Sequence, residues 1–205
     1  MIMSDIDHKP VTTAAARPGV SYIEWGAIFA GAVVAGALTV VLTQFGAGIG
    51  LATADPTLED GLTWGIFLVG LWLVLIPFAS ASAGGYVAGR MRSHFGDGTA
   101  DESEFRDGIH GIVVWALATV AMGLAAGFSA AISSAIAPAA ADPDVSAEMM
   151  QLMHSASTIT AFAAGAGAVL GAAGAWFAAL AGGNHRDEGI AISAFRGPFF
   201  RRTQP

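Results

Sequence analysis

Three residues of fixed or switchable charge stand at the edges of long uncharged stretches: Glu24, Arg90 and His110. A carboxylate, a guanidinium and an imidazole at one depth could pair, hold helix ends in place, or gate a path between helices. The pattern allows a Glu24–Arg90 or a Glu24–His110 pair. Glu24 also suits a helix start, where the backbone dipole favours negative charge. Ionisable residues that mark transport paths sit within the membrane, and none falls in the middle of an apolar stretch here. We therefore favour anchoring over gating for this inner-interface cluster. A second constellation is Met149, Met150, Met153 and His154, in which thioether and imidazole recur at a spacing of four. Such ligands suit Cu(I), but an amphipathic segment lying on the outer leaflet is the plainer reading, and no metal is expected. A third is Arg196, Arg201 and Arg202 interleaved with Phe195, Phe199 and Phe200, a pattern that binds anionic lipid headgroups. The glycines of Phe45-Gly46-Ala47-Gly48-Ile49-Gly50 lack the preceding strand and βαβ unit that a dinucleotide site needs. There is no cysteine, which excludes thiol catalysis, disulfides and Cys-ligated metals. No Ser–His–Asp or paired-carboxylate set can be placed at a common depth. Neither an enzyme nor a cofactor is expected.

The elements that must carry these residues are set by where charge is missing. Of 205 residues, 54% are hydrophobic and 12% charged, against about 25% charged in a soluble domain, and mean hydropathy is +0.60. Trp25 to Ala54, Gly61 to Gly89, Gly108 to Ala141 and Met149 to His185 contain no Asp, Glu, Lys or Arg. Each exceeds the roughly 20 residues needed to cross the hydrocarbon core, and backbone in lipid must be helical. Helix cores at about 25–48, 63–88, 110–136 and 158–181 follow. A soluble bundle would show polar helix faces, and Leu62–Ile76 has none. The predicted fold is all-α: a four-helix polytopic membrane protein. Residues 1–21 form a flexible cytoplasmic tail, 22–182 the transmembrane domain and 183–205 a cytoplasmic basic-aromatic tail. The first 24 residues are polar and the first apolar run is too long for a signal peptide, so the first helix should remain. The loop 94–108 is acidic and Gly-containing, and is expected to be mobile.

Orientation follows from nine basic residues: Lys9, Arg17, Arg90, Arg92, Arg106, Arg186, Arg196, Arg201 and Arg202. All lie before the first helix, between the second and third, or after the fourth. Basic residues stay on the cytoplasmic side, so both termini are predicted cytoplasmic. The opposite face carries Asp55, Glu59, Asp60, Asp142, Asp144 and Glu148 with no base. That asymmetry could attract cations, though acids simply cross more freely than bases, and we favour the latter account.

The two hairpins resemble each other. The first and third helices end before Asp55-Pro56 and Asp142-Pro143, and the second and fourth end in Gly84-Gly85 and Gly182-Gly183 followed by charge. This predicts two helical hairpins in parallel repeat. Small residues recur every four positions: Ala27, Gly31, Ala35; Ala81, Gly85, Gly89; Gly123, Gly127, Ala131; Ala163, Gly167, Gly171, Ala175. Such strips let helices approach closely, within one chain or between chains. Pro77 removes a backbone donor and should kink the second helix, with Ser80 and Ser82 placed to satisfy freed carbonyls. Thr39, Thr43 and Gln44 are expected to hydrogen-bond between helices.

With these residues in view, the chain resembles a group of small uncharacterised bacterial multi-helix inner-membrane proteins, some labelled PhnA-like. The matching pieces are Trp25-Gly26-Ala27 with Ala30-Gly31, Gly46-Ala47-Gly48-Ile49-Gly50, Gly84-Gly85-Tyr86-Val87-Ala88-Gly89-Arg90, and His110-Gly111 with Trp115-Ala116-Leu117. They span about residues 22–120; the second half shares only Ala/Gly character. The resemblance implies a bacterial inner-membrane protein and supplies no catalytic residues, and no phosphonate site is visible. Three functions remain in view: a non-catalytic scaffold or accessory subunit assembling through small-residue faces, a channel or transporter for a small neutral or weakly charged solute, or an envelope-stress or lipid-organising protein. The expected partners are membrane lipids and either further copies or a larger membrane complex. Nucleic acid is excluded by the lack of a basic face.

Overall fold

The computed structural model describes residues 22–53, 61–93, 98–136 and 147–190. Four helices account for nearly all of them: α1 (Trp25–Thr53), α2 (Gly61–Met91), α3 (Ala100–Ile136) and α4 (Ala147–Asp187). No strand occurs among the described residues. Each helix holds a stretch long and apolar enough to cross a membrane. Large apolar side chains such as Phe29, Val33, Phe67, Leu124, Phe162 and Phe177 are exposed, as a lipid-facing surface requires. The chain is an all-α, four-helix polytopic membrane protein.

Helices α2 and α3 each touch the other three, whereas α1 and α4 do not meet among the described residues. The core is built mostly from alanine, with Ile28, Ile76 and Val114 as its larger members. Glycine makes that possible. Gly31 and Gly84 face one another, and a Cβ on either would collide with the other's carbonyl oxygen. A Cβ at Gly85 or Gly89 would run into the backbone of Ala175 or Ala179 on α4. A Cβ at Gly167 would lie 2.8 Å from Pro77 Cγ and 3.0 Å from the Leu73 carbonyl oxygen. That carbonyl is the one Pro77 deprives of its helical donor. α2 remains helical through Pro77, and α4 presents glycine where the ring and the freed oxygen protrude. Gly171 likewise packs on the Pro77 carbonyl.

The strip on α3 behaves differently. Gly123 and Gly127 have nothing within 4 Å of a would-be Cβ. From Thr119 to Ala135 every residue of α3 is exposed except half-buried Met122. α3 packs through its first half and stands clear of the bundle through its second.

Several expectations need correction. α3 begins at Ala100, so the segment around 100–108, expected as mobile loop, is helix. Its start carries a Thr99-x-x-Glu102 cap related to the capping box: the Glu102 amide donates to Thr99 Oγ1 (3.1 Å), and the Glu102 carboxylate reaches one residue past the N-cap to accept from the Gly98 amide (3.1 Å). This motif satisfies donors that a helix start leaves open. α4 runs past Gly182-Gly183 to Asp187. It ends at Gly189, whose φ of 62° suits a residue without Cβ. There the Ile190 amide donates to the His185 carbonyl (3.1 Å) and the Gly189 amide to the Arg186 carbonyl (3.1 Å), a Schellman closure. Thr39 and Thr43 do not bridge helices; their hydroxyls donate to the carbonyls of Ala35 (2.9 Å) and Thr39 (2.7 Å). The hydroxyls of Ser80 and Ser82 are buried without a partner, so they do not serve the carbonyl freed by Pro77.

Candidate functional site

The polar residues of the bundle converge at one end, where α2 finishes, α3 starts and α4 finishes. Ser103, Arg106, Asp107 and His110 recur at helical spacing on α3 and are 8%, 2%, 2% and 1% exposed. The stripe continues into the apolar core at Val114. One face of the first half of α3 is thus buried, and it changes from charged at Ser103–His110 to apolar at Val114.

Asp107 is the centre of the charged part. Arg92, just past α2, places Nε on Asp107 Oδ1, and its Nη2 donates to the Ser103 hydroxyl (2.9 Å) and carbonyl (3.1 Å). Arg186 of α4 donates to both oxygens of the same carboxylate, at 3.1 Å each. Its Nη1 also donates to the carbonyls of Gly89 (2.9 Å) and Arg92 (3.1 Å). A cation here caps the carbonyls that the end of α2 leaves unpaired. Gly183 supplies the space, since a Cβ there would strike the Asp107 carboxylate. One buried carboxylate therefore ties three helices through two guanidiniums.

A second set of contacts holds the segment preceding α1. The Glu24 carbonyl accepts the first helical bond, from the Ile28 amide (3.2 Å). The Glu24 amide donates to His110 Nε2 (3.0 Å), and His110 Nδ1 sits 2.7 Å from the Arg106 carbonyl. The Glu24 carboxylate accepts from the Ser93 amide at 3.0 and 3.1 Å and from the Ser93 hydroxyl. Arg106 Nη2 donates to the Tyr22 carbonyl (3.0 Å), and its guanidinium lies 4.4 Å above the Tyr22 ring. The Tyr22 hydroxyl donates to Glu102 (3.2 Å).

Of the two pairings foreseen for the Glu24 carboxylate, neither is what ties Glu24 to the cluster: His110 meets the Glu24 backbone amide, and the carboxylate goes to Ser93. Arg90 does not join them. Its Nη2 donates to the Ile190 carbonyl, and nearby Tyr86 hydrogen-bonds His185 Nδ1 (3.1 Å). Arg90 and Arg92 are two residues apart, so successive helical steps of about 100° aim them at opposite sides. Arg92, Ser103, Arg106, Asp107 and Arg186 were not singled out from the sequence as site residues. The readable signals were the 103–106–107–110 spacing and the Thr99-x-x-Glu102 cap.

Met149, Met150, Met153 and His154 lie in the first turns of α4. Met150 and His154 are exposed, and the side chains of Met149 and Met153 fall outside the described residues. No group of three His, Cys, Asp or Glu able to hold a metal occurs among the described residues. Arg196, Arg201 and Arg202 fall outside the described residues, as do residues 1–21. No protein-family model matches this chain, and neither a curated protein nor a solved structure does.

Proposed function

We propose that this chain is a non-catalytic membrane scaffold or accessory subunit of the bacterial inner membrane, with both termini in the cytoplasm. The family resemblance over residues 22–120 belongs to the same proposal. The observation that carries it is the free second half of α3. Gly31, Gly85, Gly89, Gly167 and Gly171 are consumed in packing within the chain, whereas Gly123 and Gly127 form a flat strip with no neighbour among the described residues. Small-residue strips gain dispersion contacts only when another helix lies against them. A second copy or a larger membrane complex supplies that helix. The orientation rests on the arginines around Asp107, since basic residues are retained on the cytoplasmic side.

The test is native mass spectrometry of the full chain purified in mild detergent. A defined homo-oligomer or partner complex is expected. The double variant Gly123→Leu/Gly127→Leu should lose it, while Gly36→Leu, which also has open space at its Cβ, should keep it. A lone wild-type monomer would overturn the reading. It would favour a channel for a small neutral solute, to which the unpartnered hydroxyls of Ser80 and Ser82 and the Trp115 indole would be relevant, and liposome flux would decide. Binding of anionic vesicles through Arg196, Arg201 and Arg202 would instead favour the lipid-organising alternative.

A further inference from the structure

His110 has its protonation state written into its partners. A backbone N–H can only donate, so the Glu24 amide requires a bare lone pair on His110 Nε2 (3.0 Å). A carbonyl oxygen can only accept, so the Arg106 carbonyl requires the ring proton on Nδ1 (2.7 Å). Only the neutral Nδ1–H imidazole meets both demands. A second proton on Nε2 would set N–H against N–H.

We propose that His110 is a proton-operated latch on the segment preceding α1: neutral, it holds Glu24 against α3, and protonated, it lets that segment go. The ring is 1% exposed, so a protonated ring has no water to turn to while the latch stays shut. Charged groups face it from three elements. Glu24 faces it from the segment before α1, Arg92 from the end of α2, and Arg106 from its own helix. α4 contributes Arg186, held on Asp107. The Glu24 carboxylate is committed to Ser93. The latched element is residues 22–24, at the start of a membrane helix. Opening it would free the Glu24 amide and, with it, the Tyr22–Arg106 and Tyr22–Glu102 contacts.

The sign follows from linkage. The latched state excludes the second proton and the open state accepts it, so acid favours opening. With an ordinary imidazole value of about 6.5 in the open state, the opening constant rises about tenfold between pH 7.5 and 5.5. That window lies above the usual range of Asp and Glu, which keeps carboxylate titration out of the measurement.

The experiment uses the full chain in lipid nanodiscs, labelled with 15N at its glutamates and, separately, at its histidine rings. Wild-type His110 should show the Nδ1–H tautomer at pH 7.5, which is the opposite of the Nε2–H form that predominates for free imidazole side chains in water. Hydrogen exchange of the Glu24 amide, corrected for intrinsic pH dependence, should report opening that grows about tenfold from pH 7.5 to 5.5. Its midpoint should follow the His110 ring signal. The Glu188 amide, bonded to the Asn184 carbonyl at 2.9 Å, should not follow it. His110→Gln can still accept from Glu24 and does not titrate, so its opening should be flat with pH. An Nε2–H tautomer, a Glu24 amide indifferent to pH, opening that tracks His185 instead, or the same rise in H110Q would each overturn the proposal. If H110Q does not fold, agreement or disagreement between the ring and amide midpoints in the wild type decides.

Discussion

Replacing Asp107 by alanine tests the central claim about how the polar end is held. Arg92 is fully buried at its side chain, Asp107 is 3% exposed and Arg186 11%. With charge centres about 4 Å apart and an effective dielectric near 20, each pair contributes roughly 4 kcal/mol of attraction. Desolvation offsets much of this, but removing one partner leaves the others charged and buried, which costs about 3–5 kcal/mol. Asp107→Ala leaves two such guanidiniums. The expected loss is therefore at least the upper part of that range, a large share of the roughly 5–15 kcal/mol that holds a folded protein together. The assay is denaturant or thermal unfolding of the detergent-solubilised full chain, followed by tryptophan fluorescence. The double variant Arg92→Met/Asp107→Leu should lose less than Asp107→Ala alone, because it leaves one stranded guanidinium, Arg186, instead of two. An Asp107→Ala variant within about 0.5 kcal/mol of wild type would refute the reasoning, since it would mean that water or lipid headgroups already solvate the two arginines.

Other outcomes follow from the same geometry. Gly183→Ala should destabilise by about 1–3 kcal/mol in the unfolding assay, because its Cβ would displace the Asp107 carboxylate. Gly89→Ala should cost a similar amount by prising α2 from α4, whereas Gly127→Ala in the isolated monomer should fall within about 0.5 kcal/mol of wild type, having open space at its Cβ. Thr99→Ala should cost about 1 kcal/mol and raise hydrogen exchange in the first turn of α3, which that hydroxyl caps.

The four spans were legible because lipid imposes one rule on every residue of a crossing: no charge and no open backbone. Where that rule stops, composition stops being informative. The cores read at 25–48 and 63–88 fall within five residues of α1 and α2, but α3 and α4 begin 10 and 11 residues before the cores read at 110–136 and 158–181, and α4 also runs on through Arg186 and Asp187. There the helices are held by caps and tertiary contacts rather than by hydropathy, as the Thr99–Glu102 cap and the turn at Gly189 show. The site divides along the same line. Glu24 and His110 stand alone at the edges of uncharged stretches and so drew notice. Arg92 and Asp107 are 15 residues apart across a loop, and nothing in a linear reading says that they meet. The small-residue strips were visible in all four helices, but their use was not, since Gly85 and Gly127 have the same local pattern and differ only in whether another helix is present.

The length of α3 has a consequence for the bilayer itself. Its 37 residues span about 55 Å at 1.5 Å per residue, against a hydrocarbon core about 30 Å thick. The charged stripe from Ser103 to His110 pins one end of the helix to its neighbours, so that end cannot slide or tilt on its own. In the chain without a partner, any difference between helix length and membrane thickness must be taken up at the other end, where no described helix packs on α3. Thicker or thinner membranes would then change the splay of α3 while leaving the arginine end as it is. Hydrophobic mismatch, normally shared by a whole bundle, would in this protein become the movement of a single half-helix.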